Sequence, residues 1–265
     1  MYTTSYISPA KTAEAVKAMK KATEGKYLAG GMTLIPTLKA RLAAPDTLID
    51  LAHCGLSDIQ TRANTIQVGA MTSHASVASS NVVAQKIPAL ATLAGGIGDR
   101  QVRFRGTIGG SLANNDPAAC YPAAALALGA TIHTDKRDVD AATFFVGLFE
   151  TALKDDEIIT SISFPVPQSA AYVKFNNPAS RYALVGVFVA QFRDNDIRVA
   201  VTGAGTDCVF RWYEAEIALA QNFTSAAMDK VVAKRDNLLS DIHAAADYRA
   251  HIMAVMTRRA VANCI

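Results

Sequence analysis

Charge, clustered sulfur and long apolar runs are all scarce in this chain of 265 residues. Charged residues make up 18% against 51% hydrophobic, and the net charge is +3. Such a chain is globular rather than disordered, and no run of five basic residues offers a nucleic-acid tract. The cysteines, Cys54, Cys120, Cys208 and Cys264, lie far apart with no Cys-x-x-Cys pair. That argues against a local iron–sulfur or zinc site and fits a reduced, cytoplasmic protein with a few buried thiols. His53, His74, His133, His243 and His251 are equally dispersed, so no metal ligand set is expected. The opening "MYTTSYISPAKTAEAVKAMKKA" has no apolar leader segment, and no stretch is apolar for long enough to span a bilayer. Neither a signal peptide nor a membrane span is expected. G-x-G-x-x-G and the P-loop are missing as well. No Ser–His–Asp, Cys–His or paired-carboxylate arrangement stands out by spacing. No catalytic side chain is therefore expected, and a cofactor would carry any chemistry.

What the chain does have is three stretches of different style. Ser8-Pro9 predicts an N-cap and first helical residue for "AKTAEAVKAMKKA", with Gly25 as the end of that helix. "KYLAGG" reads as a strand, "MTLIPTLKARLA" as a helix holding Pro36 in its first turn, and "TLIDL" as a buried strand. This is a β–α–β-like unit over residues 1–53. In residues 54–166, "NTIQVGAMT", "TIHT" and "DEIITSISFPVP" read as strands, the last stopped by Pro165 and Pro167. "SHASVASS" and "IPALATLAGGIG" read as helices, as does "PAACYPAAALALGA", closed by Gly129. In residues 167–265, "AAYVKF", "ALVGVFVAQF" and "DIRVAVTGAG" form an antiparallel meander with "RDND" at a hairpin turn. The closing helix "ADYRAHIMAVMTRRAV" sets Ile252, Val255, Met256 and Ala260 on one face. Strands and helices are segregated more than they alternate, which gives an α+β class.

Two glycine pairs, each after a strand-like segment, are the main functional signal. They are Ala29-Gly30-Gly31-Met32-Thr33 and Thr107-Ile108-Gly109-Gly110-Ser111. Glycine removes the Cβ that keeps a ligand off the main chain, and successive N–H groups in such a turn converge on oxyanions. Thr33, Thr107 and Ser111 add hydroxyls. Together the pairs can clasp a pyrophosphate; each alone is equally a tight turn. Asn114, Asn115 and Asp116 follow, suited to a polyol chain or, for Asp116, to an Asx cap on a helix opening at Pro117. Arg103 and Arg105 can hold phosphate or form surface ion pairs, and one of the two is expected at the surface.

At these residues the chain resembles the FAD-binding medium subunit of the molybdenum hydroxylases, a family that includes the carbon monoxide dehydrogenase medium subunit and the xanthine dehydrogenase flavin module. "YLAGGMTLIPTLKARLAAPDTLIDL" is similar to its first flavin motif and "IGDRQVRFRGTIGGSLANNDPAACYPAAALALGATI" to its second. "FFVGLFETALKDDEIITSISFP", "RYALVGVFVA" and the helix around "ADYRAHIMAVMTRRA" match in order, so the resemblance covers nearly the whole chain. It implies two α/β subdomains of the vanillyl-alcohol-oxidase FAD-binding type, residues 1–53 and 54–166, followed by a flavoprotein C-terminal domain, residues 167–265, with an antiparallel sheet and helices. It implies FAD held at its pyrophosphate by Ala29, Gly30, Gly31, Met32, Thr33 and Leu34 on one side. Thr107, Ile108, Gly109, Gly110 and Ser111 hold it on the other, mostly through main-chain N–H groups. Ile97 and Tyr182 are placed at the two ring faces, and Asn115 and Asp116 near the sugar chain; read alone, Ile97 is a core residue and Tyr182 a strand-end tyrosine. Cys120 stands where the family often has an acidic ribose ligand, and Met32 where a polar residue is common. The resemblance further implies an electron-transfer subunit with an iron–sulfur small subunit and a molybdopterin large subunit as partners, in a dimer of heterotrimers. Two other readings remain: a free-standing flavin-dependent oxidoreductase of the same fold, and an assembly subunit that has lost FAD.

Overall fold

Parallel pairing builds the first layer of the computed structural model, which describes residues 2–264. Strand β1 (Ser5–Ile7) pairs with β3 (Thr47–Asp50), and β2 (Gly25–Leu28) pairs with the other edge of β3. Parallel neighbours need crossovers, supplied here by α1 (Thr12–Met19) and α2 (Leu34–Lys39). Ala15 of α1 packs with Ile49, Leu51, Cys54 and Ile158 in a small apolar cluster. The expected cap is corrected: α1 starts after Lys11, not at Ser8-Pro9, and Glu14 Oε2 accepts from Ala10 N at 3.2 Å in place of a capping hydroxyl. It also ends at Met19, because Gly25 already opens β2. Strand β1 was not foreseen; three exposed residues leave no pattern to read.

The second layer is a five-stranded antiparallel sheet in the order β4 (Ile59–Arg62), β5 (Thr65–Gly69), β10 (Ile159–Pro165), β6 (Thr131–Thr134) and β7 (Asp138–Asp140). Between β5 and β6 run α3 (His74–Ser79), α4 (Asn81–Lys86), α5 (Pro88–Gly95), α6 (Arg100–Arg105), α7 (Ile108–Asn114) and α8 (Tyr121–Leu128). A one-turn helix α9 (Ala141–Phe144) and the hairpin β8 (Phe145–Gly147) and β9 (Glu150–Thr151) precede β10. All eight residues of α8 are buried, because β10 lies on one side and β12–β13 on the other. Its wholly uncharged, alanine- and leucine-rich surface is what a helix between two sheets requires. It opens at Tyr121 with Pro122 in the first turn, not at Pro117, and closes on Gly129 at φ +61° as expected.

The third layer is the meander β11 (Ser169–Asn176), β12 (Ala183–Gln191), β13 (Ile197–Thr202) and β14 (Phe210–Arg211), with α10 (Tyr213–Gln221) and α11 (Ala246–Ala262) against it. Both faces of β12 are apolar, and its alternation sorts side chains between two clusters. Phe188 and Ala190 join the core around α8, whereas Val185, Val187 and Val189 join Ile252, Met253, Met256 and Ala260 of α11. Val255, expected on the buried face, is only half-buried. Asp194 and Asn195 take left-handed φ at the hairpin turn, as "RDND" suggested. No helix among the described residues is long and apolar enough to cross a membrane.

Candidate functional site

The chain leaves β2 at Leu28 and turns through Ala29, Gly30 and Gly31 before α2 begins. Gly31 has φ +74°, which other residues resist. Gly30 is glycine for a different reason. A Cβ there would run into Arg105 O and lie 2.8 Å from Gly106 Cα. Across the seam, a Cβ on Gly110 would lie 3.2 Å from Ala29 Cβ and 2.9 Å from Thr107 Oγ1. The two glycine motifs, distant in sequence, are therefore packed against each other.

The second motif is not the turn that its sequence suggested. Thr107 caps α7, its Oγ1 accepting from Gly110 N at 3.1 Å, so Gly109 and Gly110 form the first helical turn. Ile108 N donates to Thr72 O (3.1 Å), Gly109 N to Ala70 O (2.8 Å) and Ser111 N to Thr107 O (3.0 Å). These four amides already have protein acceptors, so they are not the free donors that the sequence suggested. Ile108 is fully buried, and a Cβ on Gly109 would lie 2.7 Å from Ala70 O. The threonine three residues before Gly110 was the available sign of a capped helix.

The first motif is open. The N–H groups of Gly30, Gly31, Met32, Thr33 and Leu34 donate to no acceptor among the described residues. Met32 and Thr33 are exposed. The hydroxyls of Thr33 and Ser111 likewise have no hydrogen-bond partner among the described residues. Arg105 has an exposed side chain, whereas Arg103 is structural, its Nη1 donating to Ile97 O (2.8 Å) and Gly98 O (3.1 Å).

After α7 the chain turns sharply. Asn115 takes φ +41° and is fully buried, donating from Nδ2 to Gly147 O and Glu150 O at 2.8 Å each. It pins the β8–β9 hairpin and is not presented to a sugar chain, as had been expected. Asp116 accepts from Ala118 N at 2.8 Å, and burial raises its pKa. Thr202 Oγ1, unsuspected from sequence, donates to Pro117 O and Ala119 O and ties this loop to the end of β13. Tyr182 is half-exposed; partial burial, then Asp116 and Cys120, raise its phenol pKa. Ile97 is half-buried beside the main core. Behind the seam, His74 N donates to Gly106 O at 2.9 Å. Its ring is buried with Nδ1 unpartnered, and burial, helped by Arg103, pulls its pKa down to about 4.

Two concavities of about 430 and 550 Å³ lie elsewhere, one against α1 and β3 and the other between α8 and β13–β14. Neither is lined by a residue of the glycine motifs. Among the described residues no three His, Cys, Asp or Glu side chains gather as a metal site. Successive open amides, a wall kept flat at Gly110 and free hydroxyls on both sides suit a diphosphate with a polar chain.

Known proteins agree with that chemistry. The family model described as the FAD-binding domain in molybdopterin dehydrogenase matches residues 2–167. The nicotine 6-hydroxylase medium subunit of Paenarthrobacter nicotinovorans is 34% identical, covering 97% of this chain and 95% of that protein. The carbon monoxide dehydrogenase medium chain of Afipia carboxidovorans is 32% identical, over 97% and 94%. A solved carbon monoxide dehydrogenase from Hydrogenophaga pseudoflava, lacking the Mo-pyranopterin moiety of its molybdenum cofactor, superposes with a TM-score of 0.88 at 31% identity, over 98% and 96%. The chain thus belongs to the FAD-binding domain family of molybdopterin dehydrogenases, as an oxidoreductase subunit whose cofactor is FAD.

Proposed function

We propose that Ala29, Gly30, Gly31, Met32, Thr33 and Leu34 hold the FAD pyrophosphate, chiefly through the open N–H groups of residues 30–34. Met32 does not weaken this reading, since the phosphate contacts come from the main chain. Thr107, Gly110 and Ser111 form the facing wall, Gly110 by having no side chain and Ser111 by its hydroxyl. Ile108, Gly109 and Asn115 support that wall from within the fold. Ile97 and Tyr182 take the two faces of the isoalloxazine ring, and Asp116 lies toward the sugar chain. Bound FAD supplies a ring that holds two electrons and exchanges them with a donor and an acceptor. The protein's part is to bind and orient that ring, and no side-chain acid or base is required.

The division into residues 1–53, 54–166 and 167–265 belongs to the same proposal, supported by the separation of the three larger sheets. So do the partners: an iron–sulfur small subunit delivering electrons and a molybdopterin large subunit selecting the substrate, in a dimer of heterotrimers. Relatives named as medium subunits or chains support that assignment. Four free thiols support a cytoplasmic location.

The packing of the two glycine motifs, with donors open on only one of them, carries this reading. Its test is the flavin-to-protein absorbance ratio of the purified chain and of Gly110→Trp. The indole would occupy the seam between Ala29 and Thr107, so the variant should retain no FAD. An unchanged ratio would refute the assignment.

A further inference from the structure

Lys174 lies on β11, in the otherwise apolar "AAYVKF". Its Nζ donates to Gly96 O at 2.7 Å and Arg181 O at 3.1 Å and lies 3.6 Å from Cys120 Sγ. Those three acceptors belong to three segments. Gly96 caps the C-terminus of α5, just before Ile97. Arg181, at φ +62°, precedes Tyr182 and β12. Cys120 opens α8 at the end of the loop that begins at Asp116. An ammonium has three donors, and all three are directed at groups bordering the candidate ring site. No carboxylate lies within ion-pair distance of Nζ among the described residues; its partners are two carbonyls and a thiol.

The α5 terminus holds a second cation. Arg103 Nη1 takes Ile97 O and Gly98 O, so three consecutive carbonyls, 96 to 98, are bound by two basic side chains. Carbonyls at a helix C-terminus carry partial negative charge and favour cations. Arg103 comes from α6 of the same unit, however, whereas Lys174 reaches across from the C-terminal sheet. It is therefore the residue that joins the Ile97 segment to the Tyr182 segment.

We infer that Lys174 is a positioning residue for the flavin: it sets the gap between Ile97 and Tyr182, and its charge, ion-paired with no carboxylate, raises the reduction potential of the ring held between them. The inference rests on the FAD reading above. A fixed positive charge near the ring stabilises the added electron density, and a clamp that fixes both walls lowers the ordering cost of binding.

The test uses the full chain, reconstituted with FAD, and compares wild type with Lys174→Met, which keeps the stem and loses charge and donors, and Lys174→Arg, which keeps both. FAD binding by wild type tests the underlying assignment by itself; the variants test Lys174. Lys174→Met should bind FAD about tenfold more weakly. Its midpoint potential should fall by about 30 mV, the equivalent of a tenfold shift for a two-electron couple. Lys174→Arg should restore the potential. Wild-type affinity and potential in Lys174→Met would overturn the inference, as would an equal potential drop in Lys174→Arg. If Lys174→Met does not fold, Lys174→Gln takes its place with the same expectations. Failure of both neutral variants to fold while Lys174→Arg folds normally would also overturn it, by assigning the clamp to the fold alone.

Discussion

Residues 29–34 and residues 107–111 each carry a glycine pair beside a threonine, yet their main-chain donors have opposite fates. In the second motif Thr107, Thr72 and Ala70 accept the N–H groups of residues 108–111, and the glycines let α7 press against Ala70. In the first motif the N–H groups of residues 30–34 find no acceptor among the described residues. Closure of one makes the openness of the other useful. A helix fixed to the second layer gives a rigid wall beside the open donors of the first motif. Residue type alone does not distinguish a glycine that admits a ligand from one that admits a neighbouring chain; the destination of its N–H group does.

The comparison breaks most visibly at Gly30. Valine there collides with Arg105 O and parts the two motifs. FAD affinity should drop by at least about a thousandfold, some 4 kcal/mol, in equilibrium binding. Wild-type affinity in Gly30→Val would mean that the seam is not where FAD binds.

An acid titration probes the closed side. His74 is buried against Gly106 with its pKa pulled down to about 4 from 6.5. The unfolded chain therefore takes up this proton more readily than the folded one. Stability is full above pH 6.5 and declines as pH falls from there toward 4, by up to about 3 kcal/mol. Denaturant melts across that range should show this loss, and His74→Gln should flatten it. An identical pH profile in the variant would remove His74 from the account.

Gly109→Ala separates the motifs more finely. Its Cβ would press on Ala70, an overpacking worth about 1–3 kcal/mol of stability. The protein that remains folded should keep its FAD affinity. Loss of FAD without a lower Tm would reverse the roles given to the two motifs.

The smallest contrast compares two threonines. Thr107→Ala removes an N-cap and should cost about 1 kcal/mol in thermal unfolding. Thr33→Ala, at an exposed hydroxyl with no protein partner, should leave Tm unchanged and weaken FAD alone. Equal Tm shifts in the two variants would erase the distinction.

Much of this architecture was legible because periodicity and breakers coincide. "ALVGVFVAQF" reads as a strand of an antiparallel meander, and β12 is one, buried on both faces; "PAACYPAAALALGA" reads as a helix closed by Gly129, and α8 closes there. The pairing of the glycine motifs was suggested by their shared residue pattern and sharpened by the resemblance. What was not legible has physical causes. In α6 the sequence Arg-Gln-Val-Arg-Phe-Arg buries no residue, so it shows no apolar face to count. In α7 two glycines of low helix propensity are offset by the Thr107 cap and by acceptors on Thr72 and Ala70, partners that only the fold supplies. Asn115 looked like a ligand residue because its amide is polar, but the hairpin it holds is more than thirty residues away. Lys174 drew no notice in a strand, since its three acceptors come from three distant segments.

Amide hydrogen exchange, resolved by residue with and without FAD, tests the central claim directly. The amides of residues 30–34 should exchange freely in the apoprotein and gain at least about tenfold protection when FAD binds, while those of residues 108–111 should be protected in both states. New protection confined to residues 108–111, with residues 30–34 unchanged, would contradict the assignment of the pyrophosphate to the open motif.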